Sequence, residues 1–294
     1  MRGIRSLPLV GALAAISLLA SCGRSGPDEA PYVAPTVPPL GNEMASFLVV
    51  GDFGVGNDDE AAVARAMHEW VNDHGADAFI SVGDSIYPEA ETKYFEAAWT
   101  TPFGWVDEAE IPVIPALGNH DVEDGSSAEV IDFFDMPGPW YDRTIKGVRF
   151  IVLNSNDVSN EQTEWLRRTI SKDQGRWTIV IVHKPPYDCG KYDGTSEVRD
   201  EWVPEFRERA DMVLSGHDHN YQRFAPLEGV TYVITGGGGD SFYGLDDECT
   251  PETPPRLAGN DSLHHFVVVR ASQTKLDVLT IGADGSIIDR FAIV

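Results

Sequence analysis

Five short apolar runs of β type each stop at residues able to hold a metal ion, and this recurrence constrains the fold more than any other feature. Phe47–Val50 runs into Gly51-Asp52-Phe53-Gly54, and Ala78–Val82 into Gly83-Asp84-Ser85-Ile86-Tyr87. Ile111–Leu117 runs into Gly118-Asn119-His120-Asp121. Trp177–Val182 stops at His183, and Met212–Ser215 at Gly216-His217-Asp218-His219. Between the runs lie stretches of helical spacing: Asp59–His74, Glu161–Ser171 and Glu197–Arg209, with acids early and bases late as the helix dipole favours. Alternating strand and helix patterns predict an α/β protein. In such folds the C-terminal strand ends line the functional crevice, so the five ends are expected to converge.

Each end taken singly has an ordinary structural explanation. Gly-Asp after a strand is commonly a turn or a helix cap, and an isolated histidine is commonly a loop residue. Together the ends offer Asp52, Asp84, Tyr87, Asn119, His183, His217 and His219. Mixed carboxylate, amide and imidazole donors suit iron, zinc or manganese. Seven donors exceed one tetrahedral zinc and suit two cations that share a carboxylate. No cysteine belongs to the set, which argues against a zinc knot or an iron–sulfur cluster. There is no G-x-S-x-G nucleophile motif, and Gly236–Gly239 lacks the Gly-Lys-Ser/Thr of a P-loop.

With 294 residues the chain can bury a sizeable core as one large or two small domains. Twenty-two Lys and Arg face 47 Asp and Glu, a net charge of −25, which disfavours nucleic-acid binding through a basic surface. At the N-terminus, Arg2 and Arg5 precede an apolar Leu7–Ala20, too short to span a bilayer comfortably. Leu19-Ala20-Ser21-Cys22 resembles a bacterial lipobox. That resemblance implies a signal peptide over 1–21, a lipidated Cys22 and an extracytoplasmic domain anchored to a bacterial membrane. Residues 22–44 are rich in Pro and Gly and read as a tether to a domain over 45–294. Export leaves Cys189 and Cys249 as the remaining pair, expected to form a disulfide.

The ordered set GDxG, GDxxY, GNHD, strand-end His and GHxH, over roughly residues 45–240, resembles the calcineurin-like metallophosphoesterases, specifically the purple acid phosphatase branch. The wider superfamily opens with Asp-x-His. Here the segment is Asp52-Phe53-Gly54, and Tyr87 takes the place of the missing His. The resemblance implies a four-layer α/β/β/α sandwich of two mixed sheets, with a dinuclear metal site at the strand C-terminal ends. Residues 241–294 would complete the second sheet through Phe266–Val269, Leu276–Ile281 and Ile287–Ile293.

The resemblance also implies Fe(III) on Asp52, Tyr87 and His219, and a second divalent metal (iron, zinc or manganese) on Asn119, His183 and His217, with Asp84 bridging. His120 would assist the leaving group and Asp121 would orient the His120 ring. The implied reaction is phosphomonoester hydrolysis by an activated hydroxide. A phosphodiesterase or nucleotidase activity and a non-catalytic phosphate-binding lipoprotein are the alternatives. Relatives often carry another His shortly after His183; here Lys191 and Tyr192 stand in that stretch. Arg223 reads as an internal ion-pair partner, and His264 and His265 as structural.

Cys22→Ala is expected to move the protein from the membrane fraction to the soluble fraction. Mass spectrometry of the mature N-terminus checks it, and an unmodified first residue other than Cys22 would rule the anchor out.

Overall fold

β-branched and aromatic residues concentrate in short runs from Glu43 to the C-terminus, and a computed structural model forms them into strands. It describes residues 32, 34–40, 42–122, 127–172 and 175–294. The expected signal peptide, Cys22 and the first part of the expected tether lie outside the described residues. In chain order the first elements are β1 (Glu43–Val50), α1 (Asp58–His74), β2 (Ala78–Ser81), α2 (Thr101–Glu108), β3 (Val113–Pro115), α3 (Ser127–Phe133), β4 (Tyr141–Ile145) and β5 (Val148–Leu153). Then come α4 (Asn160–Ile170), β6 (Trp177–Val182), α5 (Ser196–Phe206), β7 (Met212–Ser215), β8 (Tyr221–Phe224) and β9 (Thr231–Thr235). The last four are β10 (Arg256–Asn260), β11 (His265–Ser272), β12 (Leu276–Gly282) and β13 (Ile287–Ile293).

Two mixed sheets result, ordered β13-β12-β11-β1-β2-β3 and β10-β8-β9-β7-β6-β5-β4. β1, β2 and β3 run parallel, as do β5, β6, β7 and β9. Strands β11–β13 do not complete the second sheet as expected; β11 pairs antiparallel with β1, from Glu43↔Ser272 to Val49↔Val267. The reason is burial. β11 (His-Phe-Val-Val-Val-Arg-Ala-Ser) is covered along its whole length, so it needs neighbours on both edges, which β1 and β12 supply.

The period of two along a strand divides the interior. In β5, Val148, Phe150 and Val152 face the first sheet, where Phe150 meets Phe47 edge to face at 4.9 Å. Ile151 and Leu153 face the other way, onto Leu166 of α4 and Trp202 and Phe206 of α5. Helix α1 lays Val63, Met67 and Trp70 into the first core. It begins with a capping box: Asn57 accepts from the Glu60 N–H at 2.8 Å, and Glu60 accepts from the Gly56 N–H. Helices therefore cover both outer faces.

Tyr32 and Val37 pack on the first core, and the Pro38 carbonyl accepts from Arg270 at 3.0 Å. Arg270 also pairs with Asp277, which takes Arg290 and Lys275 as well. Burial raises the Asp277 pKa, but these three cations outweigh it and hold the carboxyl at about 2. Cys189 and Cys249 form a disulfide, Cα–Cα 4.7 Å. Among the described residues no helix is long and apolar enough to cross a membrane.

Phe47 is fully buried where the two sheets meet. Phe47→Ala is expected to cost about 3–5 kcal/mol through the cavity it leaves, read as a lowered midpoint in urea denaturation.

Candidate metal centre

The loops after β1, β2, β3, β6 and β7 deliver the ligand-type residues to one end of the sandwich. Such convergence needs sharp turns. Asp52, Asp84 and His217 adopt left-handed φ values of 56°, 51° and 69°, a conformation that non-glycine residues hold only when their surroundings enforce it. It also needs close approach. A Cβ on Gly118 would lie 2.0 Å from Asp84 Oδ1, and one on Gly216 would lie 2.3 Å from Asp52 Oδ2.

The donors form two groups that share Asp84. In the first, the Tyr87 hydroxyl donates to Asp84 Oδ2 at 3.1 Å and lies 3.4 Å from His219 Nε2, which is 3.5 Å from Asp52 Oδ1. In the second, His183 Nε2 lies 3.2 Å from Asp84 Oδ2 and 3.2 Å from Asn119 Oδ1. Donor atoms of Asp84, His183 and His217 all lie within 4.8 Å of one another. Two ring nitrogens are fixed from behind: His183 Nδ1 on the Val82 carbonyl at 3.0 Å and His219 Nδ1 on the Ser241 carbonyl at 2.9 Å. Backing of this kind sets tautomer and ring direction in metal ligands. This mix of carboxylate, imidazole, amide and phenol donors suits hard or borderline cations, and Asp84 stands in both groups.

Burying so many titratable groups perturbs them strongly. Burial pushes Asp52 well above the usual carboxylate range. Burial also works against a charged His183, but Asp84 and Asp52 reverse this and lift it to about 9. Burial would raise Asp84; the His183 imidazolium overcomes that and holds it at about 2. Burial and then the neighbouring His183 push His217 down to about 3. Tyr87 is driven well above its ordinary value by burial and by Asp84. The cluster thus gathers positive charge at His183, between two carboxylates, where a cation would serve the same end.

His120 and Asp121 separate in role. The His120 N–H donates to Asp84 Oδ1 at 2.8 Å, its ring lies 4.4 Å from the Tyr87 ring, and its Nδ1 donates to the Pro88 carbonyl at 2.7 Å. Asp121 was expected to orient that ring. Its carboxylate instead turns inward and accepts from the Gly118 N–H at 2.8 Å and the Ser85 N–H at 3.1 Å, tying the β3 loop to the β2 loop. Fully buried there, it is raised to about 7 by desolvation and then by Asp84. The Pro88 carbonyl takes over the orienting contact.

Arg223 pairs with Asp289 at 2.6 Å, away from the donors. His264 pairs with Asp59, and His265 is buried and lowered to about 4 by desolvation, both outside the cluster. Lys191 and Tyr192 do reach the site, with Tyr192 stacked on His217. Sequence reasoning missed Tyr243, which stacks on His219; the glycine run, read as a tight turn at a strand end, does follow β9, and its Gly238 N–H also braces the Gly51 carbonyl at 3.0 Å. Tyr243 carries no recognisable spacing relative to the donors.

The model of the calcineurin-like phosphoesterase family matches residues 45–221. The chain is 25% identical over 252 residues to purple acid phosphatase 22 of Arabidopsis thaliana, covering 74% of this chain and 55% of that protein. It is 24% identical over 286 residues to tartrate-resistant acid phosphatase type 5 of Sus scrofa, covering 81% and 84%. The chain spans about half the length of the plant relatives, 55% and 50% for two of them. The fold is similar to that of a purple acid phosphatase from yellow lupin seeds, with a TM-score of 0.70, 18% identity and coverage of 84% of this chain and 53% of the other. It is also similar to an anchor protein of the inner membrane complex of Plasmodium, with a TM-score of 0.74, 16% identity and coverage of 85% and 88%.

The perturbed groups give stability a pH dependence. His183, raised to about 9, binds its proton more tightly folded than unfolded. Its contribution is complete below its ordinary value of 6.5 and is lost as pH rises through about 9. Asp121, raised from 3.8 to about 7, acts in the same direction at lower pH. Metal-stripped protein is therefore expected to melt at falling temperature from about pH 7 to pH 9, above the range in which the lowered His217 and His265 act in the opposite direction. His183→Gln should flatten the upper part of that fall, as thermal melts in chelator will reveal.

Proposed function

The chain belongs to the calcineurin-like phosphoesterase family, and on that footing we propose that it is a metal-dependent phosphomonoester hydrolase of the purple acid phosphatase type. One observation carries the reading: the buried carboxylate of Asp84 stands in both donor groups, 3.1 Å from the Tyr87 hydroxyl and 3.2 Å from His183 Nε2. Asp52, Tyr87 and His219 would hold Fe(III). Asn119, His183 and His217 would hold a divalent iron, zinc or manganese. Bound there, the two cations would neutralise the ester oxygens and acidify a water, so that hydroxide is available below neutral pH. The fold is shared with an anchor protein, so the reading rests on the donors and not on the scaffold.

The chain's own groups divide the remaining work. The Asp52 carboxylate accepts twice from the His217 N–H, at 3.0 Å to each oxygen, which locks the turn between the two donor groups. His120 is bonded through Nδ1 to a carbonyl, so its Nδ1 keeps a proton and Nε2 is the nitrogen through which a proton passes. It would give that proton to the departing alkoxide. The net charge of −25 opposes an anionic ester at long range, but screening over about 8 Å confines that to the approach rate. The Leu19–Cys22 motif supports a hydrolase held outside the cytoplasm by lipid.

Purified protein loaded with iron is expected to absorb in the visible through a Tyr87 phenolate, and Tyr87→Phe to lose that band. Aryl phosphate monoester should turn over faster than aryl diester. The opposite preference would move the assignment to a phosphodiesterase or nucleotidase, and absence of turnover with both metals bound would overturn it. His120→Ala should keep its metals and lose about 10²–10⁴ in kcat on esters with poor leaving groups, less on activated ones. Equal losses across leaving groups would reassign His120 to positioning.

A further inference from the structure

His217 and His219 leave one turn after β7 toward different donor groups, and each ring lies against a tyrosine from a different loop. Tyr192 stacks on His217 with centroids 4.3 Å apart and planes 20° apart. Tyr243 stacks on His219 at 4.1 Å and 13°. The tyrosines meet edge to face at 5.9 Å, and Lys191 Nζ lies 3.5 Å from the Tyr243 centroid and 4.9 Å from that of Tyr192.

The backbones that carry these rings are also fixed. The Tyr243 N–H donates to the His219 carbonyl at 3.1 Å, and the Tyr192 N–H to Asp188 Oδ2 at 3.1 Å. Under the Tyr192 loop, Gln222 Nε2 donates to Asp188 at 2.6 Å and Asp218 at 3.2 Å, while its Oε1 accepts from the Cys189 N–H at 2.9 Å. The disulfide from Cys189 to Cys249 then joins the Tyr192 loop covalently to the segment that bears Tyr243.

We infer that Tyr192 and Tyr243 are positioning residues that fix the ring planes of His217 and His219, and that the Cys189–Cys249 bridge couples them into one wall serving both cation positions. The inference rests on reading these histidines as ligands. An imidazole offers its lone pair along one line in the ring plane, so rotation about its last side-chain bond turns the donor away from the cation. A flat aromatic neighbour on the ring face restricts that rotation, much as a carbonyl behind the ring sets its tautomer.

The test titrates the full chain, stripped of metal, with Zn(II) alone by calorimetry. Wild type should take up zinc in two steps. Tyr192→Leu should weaken one step and Tyr243→Leu the other, each about 10-fold, the lower end for loss of a contact behind a metal ligand. Tyr→Phe at either position keeps the ring and should restore the affinity. The double variant Cys189→Ser with Cys249→Ser should weaken both steps together. Circular dichroism verifies that each variant is folded, and Met replaces Leu where Leu prevents folding. Wild-type zinc affinity in the folded leucine variants, or equal losses in Phe and Leu, would overturn the inference alone. A wild type that takes up no zinc would overturn the metal reading and the inference with it.

Discussion

A buried carboxylate is the constraint on which this molecule turns. Asp84 is almost wholly removed from water, yet it is held ionised by His183, by the Tyr87 hydroxyl and by the His120 N–H. An unpaired charge in that position would cost several kcal/mol. Tyr87 meets it from its own loop, but His183 and His120 come from other strand ends, so loops far apart in the chain must stop within hydrogen-bond reach of one another. The left-handed residues at Asp52, Asp84 and His217, and the missing side chains at Gly118 and Gly216, follow from that crowding.

Crowding of this kind needs a stiff support. The two sheets supply it by packing face to face, with Phe47 against Phe150, and by helices that close both outer faces. Asp121 adds a local brace by accepting two backbone N–H groups from two loops, and Gly238 adds another behind Gly51. A carboxylate spent on loop geometry in this way looks, from its sequence neighbours, like a partner for His120. Its burial and its bond partners distinguish the two roles.

The tyrosines over His217 and His219 extend the same logic outward. The donors come from the sheet, but the rings that restrain them come from long loops, which a disulfide joins. The chain therefore divides the site between a rigid floor made by strand ends and a wall whose order depends on one covalent link.

Much of this was legible in the residues alone. Strand-end positions of the donors were readable because a β run and its terminating Gly-Asp or Gly-His are adjacent in sequence, and because burial on both faces leaves an unbroken apolar signal. The runs Trp177–Val182, Met212–Ser215 and Ile287–Ile293 coincide with β6, β7 and β13. Sheet membership was not readable. Which edge β11 joins depends on pairing with β1, some two hundred residues earlier in the chain, and an apolar strand fits any open edge equally well. The same holds for Asp121, Tyr192 and Tyr243, whose types are ordinary and whose roles exist only through what lies across space from them. The sequence determined which donor-type residues end strands and, through the family resemblance, implied their division about Asp84; only the tertiary structure decided the distances and braces within that division, because those are a matter of angstroms between loops and not of spacing along the chain.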